Sequence, residues 1–226
     1  MENIISLQDF YCFIEKNALV FEKDHDIIEA FLKYKNNTNS EEEKQLLQWE
    51  IEVFLFSFNG GKIFSFSTSN GNETGKLTEY PSLDAIQSNA FDYIKDRATK
   101  STSSLLKARY NHILWESIHS KNRAYAISAA ENYIQTIYDC CSQSDSEDYS
   151  QLLGELFENL AAITLSASVD TTQLKQLTSY LLFEAKGLSF WVKYGIIDDM
   201  LKYSKIFKAD DFKNVLSLAP CSCPAV

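Results

Sequence analysis

Arg109, His112, Trp115 and Glu116 fall within eight residues and form the densest group of chemistry-bearing side chains in the chain. On a helix, positions three, four or seven apart share a face, so Arg109 and Glu116 would be neighbours, as would His112 and Glu116. A histidine beside a carboxylate can move protons. With Arg109 close by, such a set could act on a nucleotide or RNA. The plainer account treats Tyr110 and Trp115 as packing aromatics and His112–Glu116 as an ordinary i,i+4 pair. These four residues are therefore the candidate binding residues, and no residue is assigned a catalytic role.

Other chemistries find little support in the sequence. His25 lies between Asp24 and Asp26, which reads as a solvated acidic loop rather than a metal site. No phosphate-binding, dinucleotide-binding, nucleophile-elbow or zinc-protease signature occurs. The five cysteines include no CxxC pair and none has a histidine at ligand spacing, so no metal or other cofactor is expected. The helical ribonuclease fold called HEPN uses an arginine followed by a histidine five or six residues on. Here Arg109 precedes His112 by three, Arg97 precedes it by fifteen, and no histidine follows Arg123.

The 226 residues suffice for a sizeable core, and a hydrophobic fraction of 45% is that of a folded chain. A formal charge of −10 argues against a phosphate-backbone binder, so no DNA partner is expected. The first residues carry acids and lack a basic segment ahead of an apolar run, so no signal peptide is read there. No uncharged apolar run approaches the ~18 residues of a membrane helix, and the expected compartment is the cytoplasm.

Glycine and proline placement divides the chain. Gly60, Gly61, Gly71 and Gly75 cluster ahead of Pro81, whereas no proline occurs from Ser82 to Ala219. Proline inside a helix costs about 3 kcal/mol, so that long stretch is free to be helical. Before the glycine cluster, Ser6 with Asp9 opens a helix to about Lys16, and a second covers 26–34. Ser40, followed by Glu41, Glu42 and Glu43, begins a third. In Lys62–Ser69, Phe64, Phe66 and Thr68 alternate with serines; with Asn70-Gly71 following, this predicts a β-hairpin that must pack on helices.

Beyond it the apolar spacing is helical. Stripes run through Ile86, Ala90 and Tyr93 or Ile94; Leu106, Tyr110, Ile113 and Leu114; and Ile127, Ala130, Ile134, Ile137 and Cys141. Further stripes join Tyr149, Leu153, Leu156, Leu160 and Ile163; Leu174, Leu177 and Leu181; and Val192, Ile196, Met200 and Tyr203. Asp170 with Gln173 is read as opening the helix of Leu174, and Gly187 as ending it. A short helix over 211–218 closes the set. The pairs near 104–141, 149–186 and 189–218 recur about every forty residues, a rhythm of helical repeats.

The residues LKARYNHILWES and KNRAYAISAAENYI resemble a motif of a bacterial family of unknown function. The match runs through Leu106, Ala108, Arg109, Tyr110, Leu114 and Trp115, then Tyr125, Ala126, Ala129 and Tyr133, with Ala130 where the pattern has Ile. The resemblance spans about 63–183. It implies an N-terminal helical module that, in larger members, precedes a HEPN-related domain which this chain is too short to add. No functional residue follows from it.

The expectation is a mainly α protein of antiparallel helix pairs in a repeat-like or compact array, with one inserted β-hairpin. One domain is expected, comprising helices over 1–58, the hairpin over 62–81, the helix pairs over 82–219 and a tail over 220–226. A non-catalytic module that binds protein is the leading function. The alternative is an RNA- or nucleotide-directed enzyme or nuclease-associated subunit using Arg109, His112 and Glu116.

Overall fold

The computed structural model describes residues 6–21, 38, 40–47, 49, 62–69, 72–79, 83–116, 122–142, 149–213 and 215. The expected helix over 26–34, His25, the Asn70-Gly71 turn, Phe54 to Phe58, residues 143–148, Cys221 and Cys223 lie outside them. The protein is mainly helical: α1 (Leu7–Phe21), α2 (Leu83–Lys100), α3 (Ser104–Glu116), α4 (Arg123–Cys141), α5 (Ser150–Ser166), α6 (Thr172–Ser179), α7 (Phe190–Lys202) and α8 (Ala209–Phe212). The backbone of β1 (Lys62–Ser69) and β2 (Asn72–Glu79) pairs antiparallel, with side chains outside the described residues. Two compact units divide the chain, Met1–Ala129 and Ala130–Val226, with the division inside α4.

In the first unit, local capping sets the helix starts. The Ser6 hydroxyl accepts the Asp9 N–H at 3.1 Å and donates to the Asp9 carboxylate at 2.7 Å. This satisfies a donor that the first turn would otherwise leave without an acceptor. α1 runs to Phe21 rather than stopping near Lys16, because Asn17 to Phe21 contain no glycine or proline to break it. Ser40 accepts the Glu43 N–H at 3.2 Å, as the cap reading requires, and residues 41–47 are helical. α2 and α1 both pack on α3. Phe10, Ile14, Leu47, Ile94, Leu106, Tyr110 and Leu114 bury their side chains there.

α4 buries a different stripe from the expected one. Ala126, Ala129, Ala130, Tyr133, Ile137 and Cys140 are buried, while Ile127 is 38% exposed. Ala130 and Ile137 belong to both stripes, but weighting Ile127, Ile134 and Cys141 over Ala126, Tyr133 and Cys140 turned the rest of the inferred face by one position. Alanines carry little hydrophobic signal, yet they let neighbouring atoms approach the helix backbone closely.

In the second unit, α5 buries Leu153, Leu156, Leu160 and Ile163 and packs on α7. Asp170 accepts the Thr172 N–H at 3.0 Å and its hydroxyl at 2.8 Å, so its partner is Thr172 rather than Gln173. α6 continues into a π-helical turn, Tyr180–Glu184, ahead of Gly187, whose φ of 77° is open to glycine at little cost. Ser189 then caps α7 by accepting the Val192 N–H at 3.4 Å. α7 ends at Lys202, just short of Tyr203, the last residue of the expected stripe, and the Ile206 and Phe207 N–H groups turn back to the Tyr203 carbonyl. α8 covers Ala209–Phe212, and residues 214 and 216–218 of the expected helix over 211–218 lie outside the described residues.

Candidate functional site

α3 carries the residues singled out by sequence, and its first turn is held by a residue the sequence did not single out. Glu15, on α1, places its carboxylate against the Ser101–Ser103 turn between α2 and α3. Oε2 accepts the N–H groups of Thr102 and Ser103, each at 2.8 Å. The Ser101 and Thr102 hydroxyls donate to the same oxygen at 3.0 and 3.1 Å. Backbone amides ahead of a helix present partial positive charge, so a carboxylate there is favourable.

Arg97 adds a full charge to this arrangement. Its Nη2 lies 3.5 Å from Glu15 Oε1, and the residue is only 5% exposed. The guanidinium carbon sits 4.0 Å from the Tyr11 ring centroid and 5.6 Å from that of Tyr110, within cation–π range. Tyr11 and Tyr93 share a hydrogen bond of 2.7 Å, and Trp49 meets Tyr93 at 5.4 Å between ring centroids. A cleft of about 410 Å³ opens beside the cluster, lined among others by Gln8, Cys12, Lys16 and Lys100. With five donors around it, the Glu15 carboxylate is a fastening point between α1 and α3 and is poorly placed to take a proton from a substrate.

The four sequence candidates separate by exposure. Arg109 is buried at 3% exposure, whereas Glu116 is exposed and His112 and Trp115 are half-buried. His112 Nε2 lies 3.7 Å from Glu116 Oε1, longer than a hydrogen bond, so their attraction is electrostatic. His112 holds the Glu116 carboxyl below its ordinary value against the opposing push of burial. Arg109 thus faces inward, Glu116 faces solvent, and the His112 side chain lies between these extremes at 19% exposure.

The second unit holds a carboxylate cluster between α5 and α7. Burial, reinforced by Glu158, pushes Asp199 up to about 6. Lys202 bonds Glu158, and this contact raises the ammonium above its ordinary value. Lys175 of α6 meets Asp211 of α8 at 2.7 Å. Burial raises the Cys141 thiol to about 11, which keeps it in the unreactive protonated form. Among the described residues, no group of three or more His, Cys, Asp or Glu gathers where a metal ion could sit.

α7 has a second feature that the sequence reading passed over. Val192, Ile196 and Met200 are buried, yet Phe190, Trp191, Tyr194 and Leu201 are 59%, 77%, 56% and 60% exposed. The first three form one aromatic group, with Phe190 5.8 Å from Trp191 and 6.3 Å from Tyr194 between centroids. Their spacing was legible in the sequence. It was overlooked because the inner stripe had already accounted for the helix.

No family model, no curated protein and no solved structure matches the chain. Among the described residues, no helix is long and apolar enough to cross a membrane.

Proposed function

We propose that the chain is a non-catalytic protein-interaction or scaffold module of the cytoplasm. The observation that carries this reading is the apolar outer face of α7, with Trp191 at its most exposed point. Large aromatics gathered in solvent are costly to leave open, and they supply the anchors of protein interfaces. The charge of −10 favours a protein partner over nucleic acid. In the same reading, the helices after residue 82 serve as repeat-like pairs with the hairpin as a packed insert, and the family resemblance over 63–183 supplies a helical module without ribonuclease chemistry.

The test is affinity capture from the native host with the wild-type chain and the Trp191→Lys variant in parallel. A specific protein retained by the former and lost by the latter is the expected result. Recovery of RNA alone would overturn the reading and favour an RNA-directed role for Arg109, His112 and Glu116.

A further inference from the structure

The exposed residues of α7 have the spacing of a helix-pairing seam. Phe190, Tyr194, Ile197 and Leu201 follow one another at intervals of four, three and four, the a/d pattern of a heptad. Phe190, Tyr194 and Leu201 are exposed and Ile197 is half-buried, while Val192, Ile196 and Met200 turn to the opposite side and into the core. One helix therefore presents two apolar faces, of which the fold uses one.

The seam also has a symmetry. Its positions mirror one another about the midpoint between Gly195 and Ile196, so that reversing the helix sets Phe190 opposite Leu201 and Tyr194 opposite Ile197. An antiparallel two-stranded packing pairs a with d positions in this way, and a two-fold axis demands a patch complementary to itself. No charged residue occupies a seam position. The same register sets Asp198 of one copy beside Trp191 of the other, where the indole N–H can donate to a carboxylate.

We propose that the outer face of α7 pairs antiparallel with the same face of a second copy of this chain, making the protein a reversible homodimer. This rests on the reading of the chain as an interaction module and names the partner of that surface. Aromatic side chains bury about 150–250 Å² each, so the exposed fractions of Phe190, Trp191, Tyr194 and Leu201 amount to roughly 500 Å² per copy. Two copies would bury about 1,000 Å², the lower edge of a specific interface, which fits a weak, concentration-dependent dimer.

Sedimentation equilibrium on the full chain tests this, with far-UV circular dichroism verifying that each variant stays folded. The wild type should self-associate with a dissociation constant of roughly ten micromolar. Tyr194→Glu alone and Ile197→Lys alone should each weaken association at least about tenfold, because each places a charge in both central layers of its homodimer. An equimolar mixture should recover to within about threefold of the wild type, since the heterodimer keeps one Tyr194–Ile197 layer and gains a Glu–Lys pair in the other. A wild type monomeric to several hundred micromolar, variants that still dimerise as the wild type does, or a mixture that fails to recover would each overturn the proposal. A monomer that still captures a specific protein through Trp191 would remove only the self-pairing. A monomer that captures none would remove the interaction reading as well.

Discussion

Glu15→Ala should destabilise the protein by about 3 kcal/mol. Arg97 loses the carboxylate it faces at 3.5 Å, in a site where only 5% of the residue is exposed. The Thr102 and Ser103 N–H groups lose an acceptor at 2.8 Å, and Ser101 loses one at 3.0 Å. Breaking a fully buried ion pair costs about 3–5 kcal/mol, and each hydrogen bond to a charged group contributes about 1.5–3 kcal/mol. Two features reduce the total. Thr102 is exposed, so water replaces the carboxylate there, and the Tyr11 ring 4.0 Å away continues to face the guanidinium. The remainder is about 3 kcal/mol, or roughly 6–12 °C in Tm for a chain of this length. Urea melts at 25 °C read by circular dichroism provide the assay, with Glu15→Gln as the graded comparison. Gln keeps one acceptor oxygen but turns an NH2 towards donors, so it should fall between the wild type and Ala. A loss below about 0.5 kcal/mol for Glu15→Ala would show that the carboxylate merely rests on the turn.

The Asp199 carboxyl, pushed up to about 6, holds its proton more tightly folded than unfolded. The native state therefore binds more protons than the unfolded chain between about pH 4 and 6, so stability falls as pH rises through that window. Asp199→Asn should flatten this slope and add about 1 kcal/mol at pH 8, a discounted figure because Asp199 is only half-buried; an unchanged slope in pH-dependent melts would refute the assignment. A double-mutant cycle of His112→Ala and Glu116→Ala should give a coupling below about 0.5 kcal/mol, because Glu116 is exposed. A coupling above about 1.5 kcal/mol in the same melts would show that the pair is a structural contact rather than a solvent-screened one.

Periodicity and capping are local physics, and they were legible in the residues. The inner faces of α3, α5 and α6 follow from apolar spacing. The starts at Ser6 and Ser40 follow from a hydroxyl placed before acids, because a cap needs only the next three residues. α4 marks where that legibility ends: Ala126 and Ala129 carry too little hydrophobic signal to orient the helix, and only packing shows that they lie inside with Ala130.

Two decisions belonged to the tertiary structure. Glu15 meets Ser101, Thr102 and Ser103 across more than eighty residues of chain, and no local pattern links an acid in one helix to the amides at the start of another. The residues 190–203 spell two apolar stripes on one helix, yet a cylinder can lay only one of them against α5. Residue spacing alone dictates that both stripes exist; the packing of α5 on α7 sends Val192, Ile196 and Met200 inward and leaves Trp191 and its neighbours facing water.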